Sequence, residues 1–470
     1  MKRIYLDWGV ISNLKKPEYA DLREFFLAHK DRLFFVYSPA HFDDLMRSDG
    51  DPRQREDLNT LASLADDHLL AFDEKKSVKA YRAKPSDYYE GRKNVAPIKL
   101  AEFGKILSSL DSLSPEGVNV GSKLMELLRR IPLPIPHEIL ENSLVGSLLP
   151  ELPSHPSVLD VIQSAGLFVD KMQGEANFYK SYRSNIHGSG FKLEDNAGNW
   201  TDTEAIGNIT DYLRSKGVNK TFMEYATVAF DKTKGVSEFE IFLSTYVLLD
   251  LLGYHSDKLS KPGSTIDSVL TDAQHAYLAS YCDCFITGDR RLASKAKALY
   301  SEFGISTRVL SPVDTIVALQ DEIQDYDKKY FFSFLECELE KQSPVERHEI
   351  VSEQDLGYDV YQFDHRLLGI FSRGTFFDWP NKENQRMILL EVGSGRSTSF
   401  LFFDEVALVV DILFGYLSAE PVPDYTSIKE QIVQGSKSVS VVWEIEGGKI
   451  IMKNDADSLK PMLLVVLDVE

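Results

Sequence analysis

At 470 residues the chain exceeds one ordinary domain of about 100 to 200 residues, and it can bury a substantial core. With 43% hydrophobic and 26% charged residues it reads as globular, and a formal net charge of −20 argues against coating nucleic acid by bulk electrostatics, though not against a local basic groove. Three cysteines (Cys282, Cys284 and Cys337) are too few for a disulfide framework. The first two do not have C-x-x-C spacing, so the expectation is reduced core thiols in a cytoplasmic protein.

Asp7 arrives before any apolar signal region can form, and "VALVVDILFGYL", the best membrane candidate, carries Asp411 in its middle. No membrane association is expected. Residues 1–48 read as β-α-β-α. "RIYLDWGVISNL" is strand then turn, "EYADLREFFLAHK" is an amphipathic helix, and "RLFFVY" is a continuous apolar run suited to a strand covered on both faces. Ser38-Pro39 then opens a helix, with serine as N-cap and proline at the first helical position.

From 49 to 237 the pattern predicts a large, mainly helical insertion. "LNTLASLADDHLLAF" and "GSKLMELLRR" carry helical periodicity, proline clusters at "IPLPIPHEI" and "LPELPSHP" interrupt it, and "SNIHGSGFKLEDNAGNWTDTEAIGN" reads as a long exposed loop. Residues 238–312 return to αβαβ: two helices, the strand "CFIT", the helix "RLASKAKALYSEF" and the strand "TRVLSP". Residues 313–470 predict a C-terminal α+β region. It starts with a long helical stretch, "TIVALQDEIQDYDKKYFFSFLECELEKQS", followed by β-like runs "MILLEVG", "STSFLFF", "SVSVVWEI", "KIIMK" and "MLLVVLDV", with a hairpin at Gly447-Gly448. The predicted class is therefore α/β, a parallel sheet flanked by helices and built from 1–48 and 238–312.

In such a sheet, functional groups gather outside the carboxyl ends of the strands. Asp7 and Asp289 each follow a strand directly, Asp44 lies on the helix after "RLFFVY", and Asp272 starts the helix leading into "CFIT". Clustered carboxylates repel, by roughly 1 kcal/mol per pair in water and more when buried, so some would hold a proton without a counter-ion. A divalent cation removes that conflict, and Mg²⁺ or Mn²⁺ suits an all-carboxylate set better than Zn²⁺.

Three segments, "IYLDWGVISNL", "YSPAHFDDLMRS" and "TDAQHAYLASYCDCFITGDRRLASKA", resemble the PIN-domain nucleases. The resemblance rests on an Asp ending strand one, an acid about six residues after a serine, a "DA" opening a late helix and a "TxD" ending the next strand. It implies a PIN-like fold and metal-dependent phosphodiester hydrolysis, with Asp7, Asp44, Asp272 and Asp289 as metal-binding and catalytic residues and Ser38 and Thr287 beside them as substrate-binding residues. The second acid of the family is usually Glu; here Asp43 and Asp44 compete, and spacing favours Asp44. Arg290, Arg291, Lys295 and Lys297 are expected to contact phosphates of the strand being cut. RNA is the expected substrate ahead of DNA, and large proteins of this kind suit toxin-type or defence systems, with an inhibitory protein as partner, or RNA maturation.

Simpler readings stand beside these. Asp289 is also a natural helix N-cap, Asp272 favours the start of a helix, and the basic run after Asp289 reads as a solvated helix face. Asp43 and Asp283 are expected to be auxiliary or structural, His275 to be packed or solvated although it could reach the site from the Asp272 helix, "RSNIH" (183–187) to be loop, and "VGSGRS" (392–397) a turn. An inactive PIN-like binding scaffold is one alternative. A phosphatase or phosphotransferase is another, but an aspartyl nucleophile would want a second Asp where Gly9 stands.

Overall fold

The structure, a computed structural model, describes residues 1–47, 51–93, 156–193, 195–227, 236–257, 265–320, 343–348, 357–378, 385–393, 395–418 and 424–468, together with 130, 152–153 and 323. It is a mixed α/β arrangement with a small parallel sheet, helices around it, and a larger antiparallel sheet.

Four strands make the parallel sheet: β1 (Lys2–Leu6), β2 (Leu33–Val36), then β5 (Cys284–Ile286) and β6 (Arg308–Leu310), in the order β2-β1-β5-β6. Between β2 and β5 in sequence lies a hairpin, β3 (His68–Phe72) with β4 (Val78–Arg82). Strands β1, β2 and β5 are buried almost throughout, which is why they read as unbroken apolar runs. Alternate residues serve opposite faces. Ile4, Leu6, Leu33, Phe35 and Ile286 enter one apolar cluster, while Tyr5, Phe34, Val36 and Phe285 enter another. Strand order reverses between β1 and β5, so the crevice above their carboxyl ends is where a ligand site belongs.

The second cluster runs on through helices Glu238–Leu252 and Ile266–Ala279 into the antiparallel sheet, so both sheets share a continuous core. That sheet comprises β7 (Glu346–His348), β8 (Gly357–Leu367), β9 (Phe371–Asp378), β10 (Gln385–Glu391), β11 (Ser440–Ile445), β12 (Gly448–Asn454) and β13 (Pro461–Asp468). Its order is β11-β12-β13-β10-β9-β8-β7, and a hairpin joins β11 to β12 as expected, but its two turn residues are Glu446 and Gly447, with Gly448 paired to Ile445 as the first residue of β12. Gly448 has φ +157, and an added Cβ would lie 2.1 Å from the carbonyl oxygen of Val466, so backbone proximity alone demands glycine there.

Several local expectations are revised. The periodic helix ends at Ala65, Asp66 turns into the left-handed region at φ 48, and "HLLAF" becomes β3. The expected strand "STSFLFF" instead holds a short 3₁₀ turn and then the helix Phe403–Leu417. There the Phe402 amide donates to Glu405 at 2.9 Å, and Val406, Val409, Val410 and Leu413 face inward at helical spacing, which overrides the alternation. Arg183–His187 belongs to the helix Ala176–Gly188 rather than a loop. Helix Pro312–Gln320 begins the stretch assigned to the C-terminal region, yet its Leu319 is buried in the same apolar cluster as Leu22 and Phe26. The rest of that long helical stretch, the first proline cluster and Cys337 lie outside the described residues.

Candidate metal centre

Asp7 follows β1 and starts the helix Trp8–Asn13, but its side chain does not cap that helix. Its amide donates to the Ile286 carbonyl (2.9 Å), which ties the strand end to β5. Its Oδ2 accepts from the Thr287 hydroxyl at 2.9 Å, and its other oxygen has no hydrogen-bond partner among the described residues. Asp7 is only 8% exposed. Burial foremost, with Asp44 and Asp289 adding negative charge and His275 opposing, pushes its carboxyl up to about 6.

Helix Pro39–Arg47 presents Asp43 and Asp44 to different partners. Asp43 pairs with Arg92 at 2.5 Å, whereas Asp44 turns one oxygen to Arg47 (2.6 Å) and the other to His275 Nε2 (2.9 Å). Geometry thus selects Asp44. Burial works against its charge, but the His275 and Arg47 bonds outweigh that and hold its carboxyl below the ordinary range. Asp272 does not open its helix as expected: the helix Ile266–Ala279 begins at the Thr265 cap, so Asp272 lies inside it, three residues before His275 and on the same face. Ligand atoms of Asp7, Asp44 and His275 all lie within 4.8 Å of one another.

Asp272 and Asp289 stand outside that tight trio but within its field. Burial and Asp257 push Asp272 well up, and Asp7 and Asp44 add to the effect. Asp289 is exposed and caps its helix, Oδ1 accepting from the amides of Arg291 (2.7 Å) and Leu292 (3.2 Å).

Three residues expected at the substrate surface are internal instead. Ser38 is fully buried, its hydroxyl 2.5 Å from Tyr5 Oη and 3.2 Å from His41 Nδ1. Thr287 is buried and holds two acids: it donates to Asp7 and accepts from the Asp289 amide at 3.0 Å. Lys295 is fully buried, 3.1 Å from Asp257, 3.3 Å from Asp250 and over the ring of Tyr246. An ammonium engaged by two carboxylates inside the protein does not reach a solvent-side phosphate. Arg290 and Lys297 are exposed, and Arg291 is partly so. Asp283 is structural, accepting from the Arg3 amide and pairing with Arg366.

The sequence reading did not single out Tyr5, His41, Asp250 or Asp257. For His275 the Asp-x-x-His spacing was the available signal. A second grouping, Asp67, His68 and Asp404, also gathers ligand atoms within 4.8 Å. There His68 is engaged between the Phe35 carbonyl (3.1 Å) and Asp404 (2.9 Å), and Asp67 pairs with Arg82 at 2.9 Å.

Compared with known proteins, the chain matches no protein-family model, no curated protein and no solved structure. Among the described residues no helix is long and apolar enough to cross a membrane.

Proposed function

We propose that the chain is a divalent-metal-dependent nuclease of PIN-like type, acting on RNA in preference to DNA, with Mg²⁺ or Mn²⁺ as cofactor. The observation that carries this reading is the convergence of Asp7 and Asp44 at the strand ends, with Asp7 buried, carrying an unpartnered oxygen, and raised to about 6. Uncompensated carboxylate charge of this kind fits a cation, and oxygen donors fit a hard one.

When bound, such an ion activates water and offsets the negative charge that grows on the phosphodiester as it is attacked. The residues themselves have separable tasks. Asp7 and Asp44 would hold the ion, with Asp272 and Asp289 adding negative charge around it. Thr287 fixes the orientation of Asp7 and ties it to the Asp289 turn. Arg290, exposed, and Arg291, partly exposed, stand at the start of the helix capped by Asp289 and would take neighbouring phosphates. The helices between residues 158 and 226 support the reading of 49–237 as a mainly helical insertion. An inhibitory protein partner and a cytoplasmic toxin or defence role belong to the same proposal.

The test is digestion of a panel of RNAs and DNAs with Mn²⁺ against a chelator control. Cleavage is expected in Mn²⁺ only, and Asp7→Asn and Asp289→Asn should abolish it. Unchanged cleavage in both purified variants would refute the site.

A further inference from the structure

Behind Asp44 runs a buried chain of polar groups whose proton directions can be worked out. The His41 Nε2 lies 2.8 Å from the Leu6 carbonyl, which can only accept, so Nε2 carries the hydrogen. The Ser38 amide can only donate, so Nδ1 is the acceptor and the ring is neutral. That Nδ1 receives the Ser38 amide at 3.0 Å and lies 3.2 Å from the Ser38 hydroxyl. Ser38 meets Tyr5 Oη at 2.5 Å, and Tyr5 meets His275 Nδ1 at 2.8 Å.

Two directions are open to the hydroxyls. If Tyr5 donates to His275, Ser38 donates to Tyr5, His41 Nδ1 keeps the Ser38 amide, and His275 Nε2–H donates to Asp44, the bond that holds the Asp44 carboxyl down without an ion. If His275 Nδ1–H donates to Tyr5, then Tyr5 donates to Ser38 and Ser38 to His41, and every contact in the chain is a hydrogen bond. In that second arrangement the His275 Nε2 lone pair faces an Asp44 oxygen at 2.9 Å, and a cation bound between them would take the place of the proton that has moved to Nδ1. Asp7, with its free oxygen, completes the same small volume.

We infer that His275 is a direct nitrogen ligand of the bound ion, beside Asp7 and Asp44, and that Tyr5, Ser38 and His41 are positioning residues that fix its tautomer. The inference rests on the metal-dependent reading above and narrows it. Imidazole suits transition ions and is a poor partner for Mg²⁺, so the site selects Mn²⁺ over Mg²⁺. A ligating histidine whose second nitrogen is held by a hydrogen-bonded partner is the usual arrangement of such centres, and loss of that partner typically costs about 10- to 100-fold in affinity.

Pulsed electron paramagnetic resonance of Mn²⁺ added to the intact wild-type chain reads ligation without any catalytic assay. The expected result is ¹⁴N modulation from one imidazole, converted to the ¹⁵N pattern in histidine-labelled protein and absent in Asp7→Asn or His275→Gln. Tyr5→Phe should weaken Mn²⁺ binding by about 10-fold or more while leaving Mg²⁺ binding nearly unchanged. Mn²⁺ that binds and is lost in Asp7→Asn, but shows no nitrogen coupling, overturns the role of His275 and leaves the functional proposal standing. Failure of the wild type to bind Mn²⁺ overturns both.

Discussion

The guanidinium of Arg3 on β1 meets the carboxylate of Glu405 through two hydrogen bonds of 2.5 and 2.6 Å, across 402 positions of sequence. Both side chains are buried, and the guanidinium lies 5.0 Å from the Phe400 ring centroid and donates to the Phe400 carbonyl as well. The strand that delivers Asp7 is thus gripped by the helix Phe403–Leu417 beside the antiparallel sheet. Removing one member of a buried pair strands the other's charge and costs roughly 3 to 5 kcal/mol, whereas removing both charges costs less. Arg3→Met should therefore lower stability by about that amount in urea titration. The double variant Arg3→Met/Glu405→Gln, which keeps an acceptor for the Phe402 amide, should recover a large part. Equal losses in the single and double variants would deny the pair this role.

Lys295 and the arginines before it separate by environment although they share one helix. Lys295→Met leaves Asp250 and Asp257 without their shared ammonium, although Asp250 keeps Arg183 at 2.9 Å and the Tyr179 hydroxyl at 2.7 Å. A loss of several kcal/mol is expected from the uncompensated acids, on the order of 3. Arg290→Ala and Arg291→Ala should leave stability within about 0.5 kcal/mol, as surface substitutions do. Each should instead reduce by about one the slope of log affinity against log salt for RNA bound in the presence of a non-hydrolysing cation. Thermal melts and salt-dependent binding read the two effects independently.

The pH response of Asp7 has a definite sign. Its carboxyl is raised from 3.8 to about 6 on folding. The folded state thus binds the proton more tightly, and this group's contribution to stability is fully present below pH 3.8 and lost as pH rises through about 6. A rise of about two units corresponds to roughly 3 kcal/mol. With chelator present, Asp7→Asn should match wild type near pH 3.5 and exceed it by up to about 3 kcal/mol above pH 7. Urea titrations at four or five pH values would show the gap opening, and a constant gap would mean Asp7 is not under strain.

How much of this was legible beforehand follows from the range of the interactions. Asp7 and Asp289 were readable because a buried parallel strand is a local apolar run and its end is marked in sequence. Spacing alone favoured Asp44 over Asp43, but the groups that separate them, Arg92 on Asp43 and His275 on Asp44, lie 49 and 231 residues away. Lys295 reads as part of a solvated basic face because its counter-charges, Asp250 and Asp257, lie 45 and 38 positions distant with no periodic relation to it. Ser38 matched a motif position, but its burial against Tyr5 depends on pairing of β1 with β2, in which Tyr5 lies opposite Val36. Long-range polar pairs leave no trace in a local pattern, whereas apolar periodicity does.

Thr287 gives the sharpest check on how the acids are held. Its hydroxyl donates to Asp7 Oδ2 and accepts the Asp289 amide, so one oxygen orients both strand-end acids. A hydrogen bond to the ionised form of a carboxylate lowers its pKa, and Thr287 opposes the burial that raises Asp7. Thr287→Val keeps the shape and removes the hydroxyl. Asp7 should then titrate above its present value of about 6, and stability at neutral pH should fall by roughly 1 to 3 kcal/mol as the Asp289 amide loses its acceptor. Thr287→Ser restores the hydroxyl and should return both quantities toward wild type. Carboxyl-carbon NMR titration of Asp7 in the two variants decides the matter: an unmoved midpoint in Thr287→Val would show that burial alone sets the charge of Asp7.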